Sequence, residues 1–557
     1  MDYDIEKLLK QITELEAELK TVKKYGLVWD KENTREQVAI DCEKKIPILS
    51  NVLSKKIANN GQNNILIEGD NYHALTSLNY VLKNSIDVIY IDPPYNTGND
   101  DFTYNDNYVN ADDGYHHSKW LSFMKKRLAL SRELLKETGF ILISIDDNEQ
   151  ANLKLLCDNV FGETNFVANL IWKSKSGGAN DSNLIATDHE YILVYAKNID
   201  YASTNTVGYG DDLLTLYTGR DEYYEERGPY RPMLLQQKGL RFSKSLTYEI
   251  VAPDGSVLVP EAGGAIWRWN REKFDKGVKD GFVEFRKVNG KYKVYTKQYL
   301  YVDYDGNKIE RGQLLRSVID DVDGRLGTRE LQKIFDYKAF TNPKPTNLIK
   351  KILKVVTNKD SLILDFFAGS GTTGQSVLDL NSEDKGTRRF ILCTNNENGI
   401  CENVTYERLK TVITGKRKDG SKYSDGIKSN LYYFKTDFIN DEPNTEQAKY
   451  NLVEKVDALL CVAENIFDEK ERNEYSSHFI NGNRHLFIYN DYYNAQKFNE
   501  FRERVLSERG EKIVYIYSSD NSVDETLIEG NDIVLKPIPS KIYEIYKEIV
   551  EDIKRDI

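Results

Sequence analysis

No two of the five cysteines, at positions 42, 157, 393, 401 and 461, form a CxxC pair. Thiols scattered in this way argue for a reduced, cytoplasmic chain, and against a disulfide framework or a zinc site. The six histidines include no HExxH, and no metal is expected. No apolar run approaches the roughly 20 residues of a membrane span. The opening MDYDIEKLLKQ has neither the basic stretch nor the apolar core of a signal peptide, so no membrane role is expected. Net positive charge is missing too. The formal charge of −12 is awkward for a nucleic-acid partner, but whole-chain charge governs solubility and leaves a local basic groove open. With 40% hydrophobic and 29% charged residues over 557 positions, the chain reads as soluble and globular, with room for three or four domains.

Prolines are few, 12 in all, and two of them interrupt the most informative stretch. The apolar run Val88-Ile89-Tyr90-Ile91 has the look of a buried parallel strand, and it breaks at once into Asp92-Pro93-Pro94-Tyr95. Consecutive prolines cannot continue a sheet ladder and hold the backbone extended and stiff. An acid, a rigid carbonyl pair and an aromatic face are thereby presented at the carboxyl end of a strand, where open α/β sheets bind ligands. The plainer alternative is an ordinary strand exit with an incidental Asp.

Around this tetrad strands and helices alternate, as in an α/β sheet. Residues 4–24 place Ile5, Leu8, Leu9, Ile12, Leu15 and Leu19 on one helical face, suited to packing or to a short dimer contact. A second helical region covers 34–56. A strand at 64–68 runs into Gly69-Asp70-Asn71 and a helix over 72–83, and Asp70 can cap that helix. After the tetrad comes an aromatic, acidic loop over 96–114, long enough for a functional loop or lid. The spacing then predicts a helix over 118–138, a strand over 139–145, a helix over 149–159, and strands over 169–172 and 189–195.

From 197 to 327 helical periodicity fades. Short β-rich runs are separated by Pro253-Asp254-Gly255, Asn289-Gly290 and Asp305-Gly306, and basic and aromatic residues interleave. Arg231, Arg241, Trp267, Arg268 and Trp269 are the candidates for stacking on nucleic acid and neutralising it. A β insertion with no such role would show similar residues. The expected organisation is an N-terminal helical region (1–60), the first half of the α/β domain (61–196), an inserted β-rich domain (197–327), the second half (328–430), and a smaller C-terminal α/β region (431–557).

The resumed α/β half carries the second motif, Asp365-Phe366-Phe367-Ala368-Gly369-Ser370-Gly371-Thr372-Thr373-Gly374. A strand enters a tight glycine turn and a helix, and Glu397 follows the next strand. Glycines allow close backbone approach to a ligand, and an acid in that place suits a ribose diol. The glycines also nearly spell a phosphate-binding Walker loop, but Gln375 stands where Lys is required. They match the GxGxxG dinucleotide spacing, yet hydride transfer has no use for a proline-locked acid–aromatic tetrad in the same sheet.

Together, the DPPY tetrad and the FxGxG turn resemble the motifs of amino-group DNA methyltransferases that use S-adenosylmethionine. The order of tetrad, β insert and glycine turn is that of the β class, a circular permutation of the usual arrangement. Leu66 to Asn71, Asn342-Pro343-Lys344-Pro345-Thr346 and His189 to Tyr195 are similar to further family elements. The stretches KKYGLVW (23–29) and YYFKTD (432–437) resemble the modification (Mod) subunits of type III restriction–modification systems. The resemblance implies a Rossmann-like, doubly wound, mostly parallel sheet with an inserted target-recognition domain. In the family's chemistry the Asp92 carboxylate and the Pro93 carbonyl accept the amino hydrogens of a flipped-out base. Pro94 completes the rigid tetrad and Tyr95 offers a stacking face. S-adenosylmethionine would be held by Asp365, Phe366, Phe367, Gly369, Ser370, Gly371, Thr372 and Thr373, with Glu397 at the ribose, Asp70 and Asn71 near the adenine, and Lys344 beside the methionine portion. Adenine N6 in double-stranded DNA is the implied target, with cytosine N4 as the alternative. A DNA-recognition subunit serving a separate nuclease or helicase is another reading, and RNA methylation a third. A homodimer and a restriction (Res) subunit are the implied protein partners.

Overall fold

The computed structural model describes residues 36–98, 112–175, 184–208, 211–239, 243–309, 311–440, 445–490, 495–517, 523–538 and 545–551, together with 29, 102–104 and 107–109. The amphipathic stretch 4–24, most of the leader 23–29 and Arg241 lie outside the described residues.

The central sheet has ten strands: β1 (Ile46–Asn51), β2 (Gln62–Glu68), β3 (Ile86–Ile91), β4 (Leu135–Ile145), β5 (Phe166–Lys173), β6 (His189–Ala196), β7 (Val318–Ile319), β8 (Leu362–Asp365), β9 (Arg389–Thr394) and β10 (Ser429–Ile439). Their order is β1-β10-β2-β9-β8-β3-β4-β6-β5-β7. The six strands from β10 to β4 are all parallel to their neighbours, and antiparallel β1 and β6 flank that block. Strand cores such as Ile363 and Leu364 in β8, or Val88 and Ile89 in β3, are fully buried, which is why these strands read as continuous apolar runs rather than alternating ones.

Helices fill the crossovers: α1 (Gln37–Lys44) precedes the sheet, α2 (Asn71–Leu82) joins β2 to β3, α3 (His116–Leu134) joins β3 to β4, α4 (Gln150–Phe161) follows β4, α5 (Arg325–Phe335) and α6 (Thr346–Val356) precede β8, α7 (Thr372–Asp384) joins β8 to β9, and α8 (Glu407–Thr414) follows β9. The β8-to-β9 step runs one way along the sheet, whereas β2-to-β3 and β3-to-β4 run the other way. Right-handed crossovers in opposite directions put α7 on one face and α2 and α3 on the other. The sheet is therefore doubly wound, an α/β Rossmann-like fold, and it reverses between β8 and β3. That reversal opens a crevice at their carboxyl ends.

Two expectations are corrected. The helix expected over 34–56 is instead α1 followed by β1. Pro47 cannot donate within a helix, and Ile46, Ile48 and Leu49 are buried in β1, which pairs with β10. The boundary expected at 430/431 falls inside β10, whose Leu431, Tyr433 and Phe434 are fully buried in the central sheet. The C-terminal residues form a further sheet, β11 (Asp468–Arg472), β12 (Ser476–Asn481), β13 (Arg484–Tyr489), β14 (Glu511–Tyr517) and β15 (Ile533–Ile538), in that order. Leu486, Ile488 and Ile513 of this sheet belong to the same apolar core as β2 and β3, so the region is continuous with the sheet.

Residues 205–315 form a second compact unit. Its central hairpin pairs Val283–Val288 with Lys291–Tyr299 through Asn289 and Gly290, both at positive φ, as the favoured two-residue hairpin turn requires. Tyr230–Leu234 adds on the far side of Lys291–Tyr299. Trp267, Trp269, Phe274, Phe282 and Tyr299 form the unit's own core.

Candidate active site

The register pairs Leu364 of β8 with Ile89 of β3, so Asp365 ends level with Tyr90 and Asp92 lies two residues beyond. The tetrad is pinned from below. Trp120 Nε1 of α3, a fully buried indole, donates to the Pro94 carbonyl at 2.8 Å. Among the described residues nothing donates to the Pro93 carbonyl. Asn96 takes a left-handed conformation with φ 58°, which Asn tolerates better than most residues. Its amide donates to buried Glu149 Oε1 at 2.6 Å.

Asp92 Oδ1 receives two donors, the Tyr95 hydroxyl at 2.9 Å and the Lys344 ammonium at 2.9 Å. The same two groups reach Glu190 Oε2 on β6, the hydroxyl at 3.0 Å and the ammonium at 3.3 Å. Lys344 also sits 4.9 Å from the centroid of the Tyr95 ring. Burial opposes charge on Lys344, but Asp92 and Glu190 outweigh it and hold the ammonium up at about 12. Burial, then Asp92 and Glu190, push the Tyr95 phenol well above its ordinary range, so it stays a neutral donor. Asp92 Oδ2 has no hydrogen bond among the described residues. One free carboxylate oxygen and one free carbonyl, both on stiff backbone, can accept two hydrogens from a planar amine.

The glycine turn is built differently. Asp365 is buried, and both of its oxygens serve the turn itself: Oδ1 accepts the Phe367 N–H at 3.0 Å and Oδ2 the Thr373 hydroxyl at 2.5 Å. Burial pushes this carboxyl up to about 7 against those two donors. Gly369 and Gly371 have φ of 48° and 79°, which a side chain would strain. From α8 the fully buried Arg408 donates to Thr372 Oγ1 at 2.8 Å, Ser370 Oγ at 3.1 Å and Gln375 Oε1 at 2.7 Å. Thr405 Oγ1 donates to the Gly369 carbonyl at 2.5 Å. A Cβ on Gly369 would meet the Phe340 ring at 3.3 Å and one on Gly371 would meet Thr405 Cγ2 at 3.1 Å, so the turn keeps bare backbone at the start of α7.

Asp70 caps α2 by accepting the Tyr72 N–H at 2.7 Å. Asn71 donates to the Phe366 carbonyl at 3.1 Å, tying the end of β2 to the glycine turn. Its Oδ1 accepts from Arg127 Nε, a buried guanidinium paired with Glu36 at 2.7 Å. Asp92 to Tyr95, Lys344, Asp70, Asn71 and Phe366 to Thr373 thus gather at neighbouring strand ends. Glu397 does not join them as clearly. It is exposed in a short turn after β9, and its carboxylate meets the Asn395 amide at 3.4 Å.

Among the expected DNA-reading residues, Trp267 and Trp269 are corrected. They are 3% and 8% exposed, and Trp267 Nε1 donates to the Tyr248 carbonyl at 2.7 Å. Arg268 between them is exposed, and both indoles belong to the core of this unit. Arg231 is half-buried with its Nε on Gln298.

Residues 86–406 match the family model for DNA methylases of the N6/N4 type. The chain belongs to this DNA methylase family. The StyLTI Mod subunit, a type III restriction–modification enzyme of Salmonella typhimurium, is 40% identical over 359 residues, covering 60% of this chain and 53% of that protein. The EcoPI Mod subunit of Escherichia phage P1 is 32% identical over 437 residues, 70% of this chain and 66% of that protein. The type II methyltransferase M.KpnI of Klebsiella pneumoniae is 36% identical over 364 residues, 61% of this chain and 82% of that protein. This methylase spans between about half and two thirds of the type III relatives it matches.

Sequence reasoning passed over Glu190, Arg408, Thr405 and Trp120. The one usable signal was in His189-Glu190, an acid opening an otherwise apolar strand. Arg408 carries no such mark, because nothing in ERLK says that its cation turns inward. Among the described residues there is no cluster of His, Cys, Asp and Glu that could hold a metal, and no helix is long and apolar enough to cross a membrane.

Proposed function

We propose that this DNA methylase transfers a methyl group from S-adenosylmethionine to the N6 of an adenine flipped out of double-stranded DNA. We further propose that it is the modification subunit of a type III restriction–modification system and works in the cytoplasm. The observation that carries the reading is the pairing of Asp92 Oδ2 and the Pro93 carbonyl as free acceptors beside the glycine turn. The amine of adenine is a poor nucleophile because its lone pair is delocalised into the ring. Two acceptors on its hydrogens draw that nitrogen toward tetrahedral geometry and aim the lone pair, a matter of orientation more than of acid–base strength. Tyr95, its hydroxyl fixed by two carboxylates, holds its ring as a stacking face. Extruding the base costs a few kcal/mol, offset by stacking and by those hydrogen bonds.

The turn from Asp365 to Thr373 fits the methyl donor, with Gly369 and Gly371 bringing backbone close and Asn71 bracing the turn from β2. Bound S-adenosylmethionine supplies a methyl already activated on a sulfonium, so no metal is required. Lys344 is the candidate for the methionine portion, Glu397 for the ribose hydroxyls, and Asp70 and Asn71 for the cofactor's adenine. Residues 205–315, with 18 Lys and Arg against 16 Asp and Glu, form the candidate recognition domain in an otherwise acidic chain, and Arg231 and Arg268 are its candidate contacts. A homodimer and a Res subunit are its proposed protein partners, a reading supported by likeness to proteins named as Mod subunits.

Incubating the chain with isotopically labelled S-adenosylmethionine and mixed-sequence duplex DNA, then separating the nucleosides, tests this. Label in N6-methyladenine is expected. Label in N4-methylcytosine would move the target to cytosine, and unlabelled DNA would overturn the reading.

A further inference from the structure

Methylation leaves the target nitrogen with one proton too many, and Asp92 is badly placed to keep it. Lys344 and Tyr95 already donate to Asp92 Oδ1, so that oxygen is taken up before the reaction begins. The same Tyr95 hydroxyl stands 2.9 Å from Asp92 and 3.0 Å from Glu190. A hydroxyl has one proton and two lone pairs, so at any instant it donates to one of the two carboxylates, and it can accept from the other only once that one has been protonated. The side chain of Glu190 is 23% exposed, which gives it a route to water.

We propose that Glu190 is the proton-holding end of a relay that runs from the target nitrogen through Asp92 and the Tyr95 hydroxyl. As the N–C bond forms and the donor's C–S bond breaks, the nitrogen becomes cationic. Its proton passes to Asp92 Oδ2, the protonated carboxyl turns about its Cβ–Cγ bond to hand that proton to the Tyr95 oxygen, and the hydroxyl's own proton passes to Glu190. Asp92 ends as it began, Tyr95 remains a neutral phenol, and Glu190 gains one proton that it returns to solvent. The high phenol pKa suits this role, since Tyr95 changes partners without being left as an anion. Lys344 spans both carboxylates, so a single cation balances the pair before transfer and remains in place after it. Glu190 acts through Tyr95 and meets no base atom; it is a positioning residue for the reaction, and the inference rests on the methyltransferase reading given above.

The test compares wild type, Glu190→Gln, Tyr95→Phe and the double variant in single-turnover methylation of duplex DNA, with dissociation constants for S-adenosylmethionine and DNA measured alongside. Both single variants keep the size of the side chain, and Tyr95→Phe keeps the stacking ring. Each is expected to slow the single-turnover rate on the order of 10²-fold, the scale of general acid–base help, with both dissociation constants within about twofold. The double variant should be no slower than the slower single one, because both remove the same path. Multiplied losses in the double variant, or a loss appearing in cofactor affinity in place of rate, would overturn the relay and leave Glu190 as a brace for Lys344. Unimpaired turnover of Glu190→Gln alongside a wild type that methylates would overturn the relay alone. A wild type that does not methylate removes the reaction itself, and the relay with it.

Discussion

Asp92 and Asp365 close adjacent parallel strands, and they are opposite in every physical respect. Asp92 is partly open and holds a buried Lys on one oxygen, while the other has no hydrogen bond among the described residues. Asp365 is sealed, has only neutral donors, and uses both oxygens on its own loop. Asp92 is paired with the Lys344 ammonium, whereas Asp365 sits where burial pushes the carboxyl to about 7. One residue type thus serves two purposes. A carboxylate meant to meet a substrate needs a fixed counter-charge on one side and vacancy on the other. A carboxylate meant to shape a loop needs short, saturated hydrogen bonds and nothing beyond them.

The largest expected effect breaks this comparison at the open end. Asp92→Asn keeps the size but puts an amide in place of an acceptor, so methyl transfer should fall on the order of 10³-fold, the upper scale for removing a preorganised electrostatic contact. Cofactor affinity should change little. Methyl incorporation and calorimetry read the two separately, and an Asn variant with near-normal turnover would show that Asp92 is no more than architecture.

At the sealed end the prediction concerns pH. The folded chain holds a proton on Asp365 up to about pH 7, whereas the unfolded chain releases it near 3.9. Between those values the folded state binds more protons than the unfolded, so stability from this group falls as pH rises and levels off above 7. Over the whole window the loss is at most about 4 kcal/mol. Urea unfolding of wild type and Asp365→Asn at pH 5 and pH 8 should show a smaller drop between the two pH values in the Asn chain. Parallel behaviour of the two chains would place the charge on Asp365 at ordinary pH.

The two strand ends were legible in the sequence. Val88 to Ile91 and Leu362 to Leu364 are too uniformly apolar for half-exposed strands, and the breaks after them mark strand ends, where open α/β sheets bind ligands. The difference between the two acids was not legible, because it comes from residues far along the chain. Lys344 and Glu190 reach Asp92 from 252 and 98 positions away, and only the strand order brings them there. The same limit explains the tryptophans. Trp267-Arg268-Trp269 has the composition of a nucleic-acid surface, and the strand period alone left open which residue of the three pointed out. At 46–51 Pro47 marked a break that the helical reading over 34–56 overran.

A smaller effect sharpens the comparison within the glycine turn. Gly371 has φ 79°, and a Cβ there would meet Thr405 Cγ2 at 3.1 Å. Gly371→Ala should cost about 1–2 kcal/mol in backbone strain, expressed as a roughly tenfold weaker affinity for S-adenosylmethionine. The turnover rate at saturating cofactor should stay near wild type, because the network on Asp92 does not pass through Gly371. Titration calorimetry paired with saturated turnover checks both halves, and a fall in saturated rate with unchanged affinity would mean that the two strand ends act as one site.

The smallest effect tests whether Asp365 is an architectural acid. Thr373→Val keeps shape and burial while removing the hydroxyl from Oδ2. Where Asp365 is protonated, below pH 7, the lost contact is one between neutral groups and should cost about 1 kcal/mol. Where Asp365 is ionised, the contact is charge-assisted and should cost about 2 kcal/mol. By linkage, the extra cost at high pH must appear as a further rise in the Asp365 pKa, because a donor that favoured the ionised form is gone. Unfolding of Thr373→Val at pH 5 and pH 8 should therefore show a destabilisation that grows with pH. A destabilisation that shrinks with pH would mean that Thr373 accepts a proton from Asp365 more than it donates one. The carboxyl would then be held in its acid form by design of the loop, and its contrast with Asp92 would be one of protonation as well as of exposure.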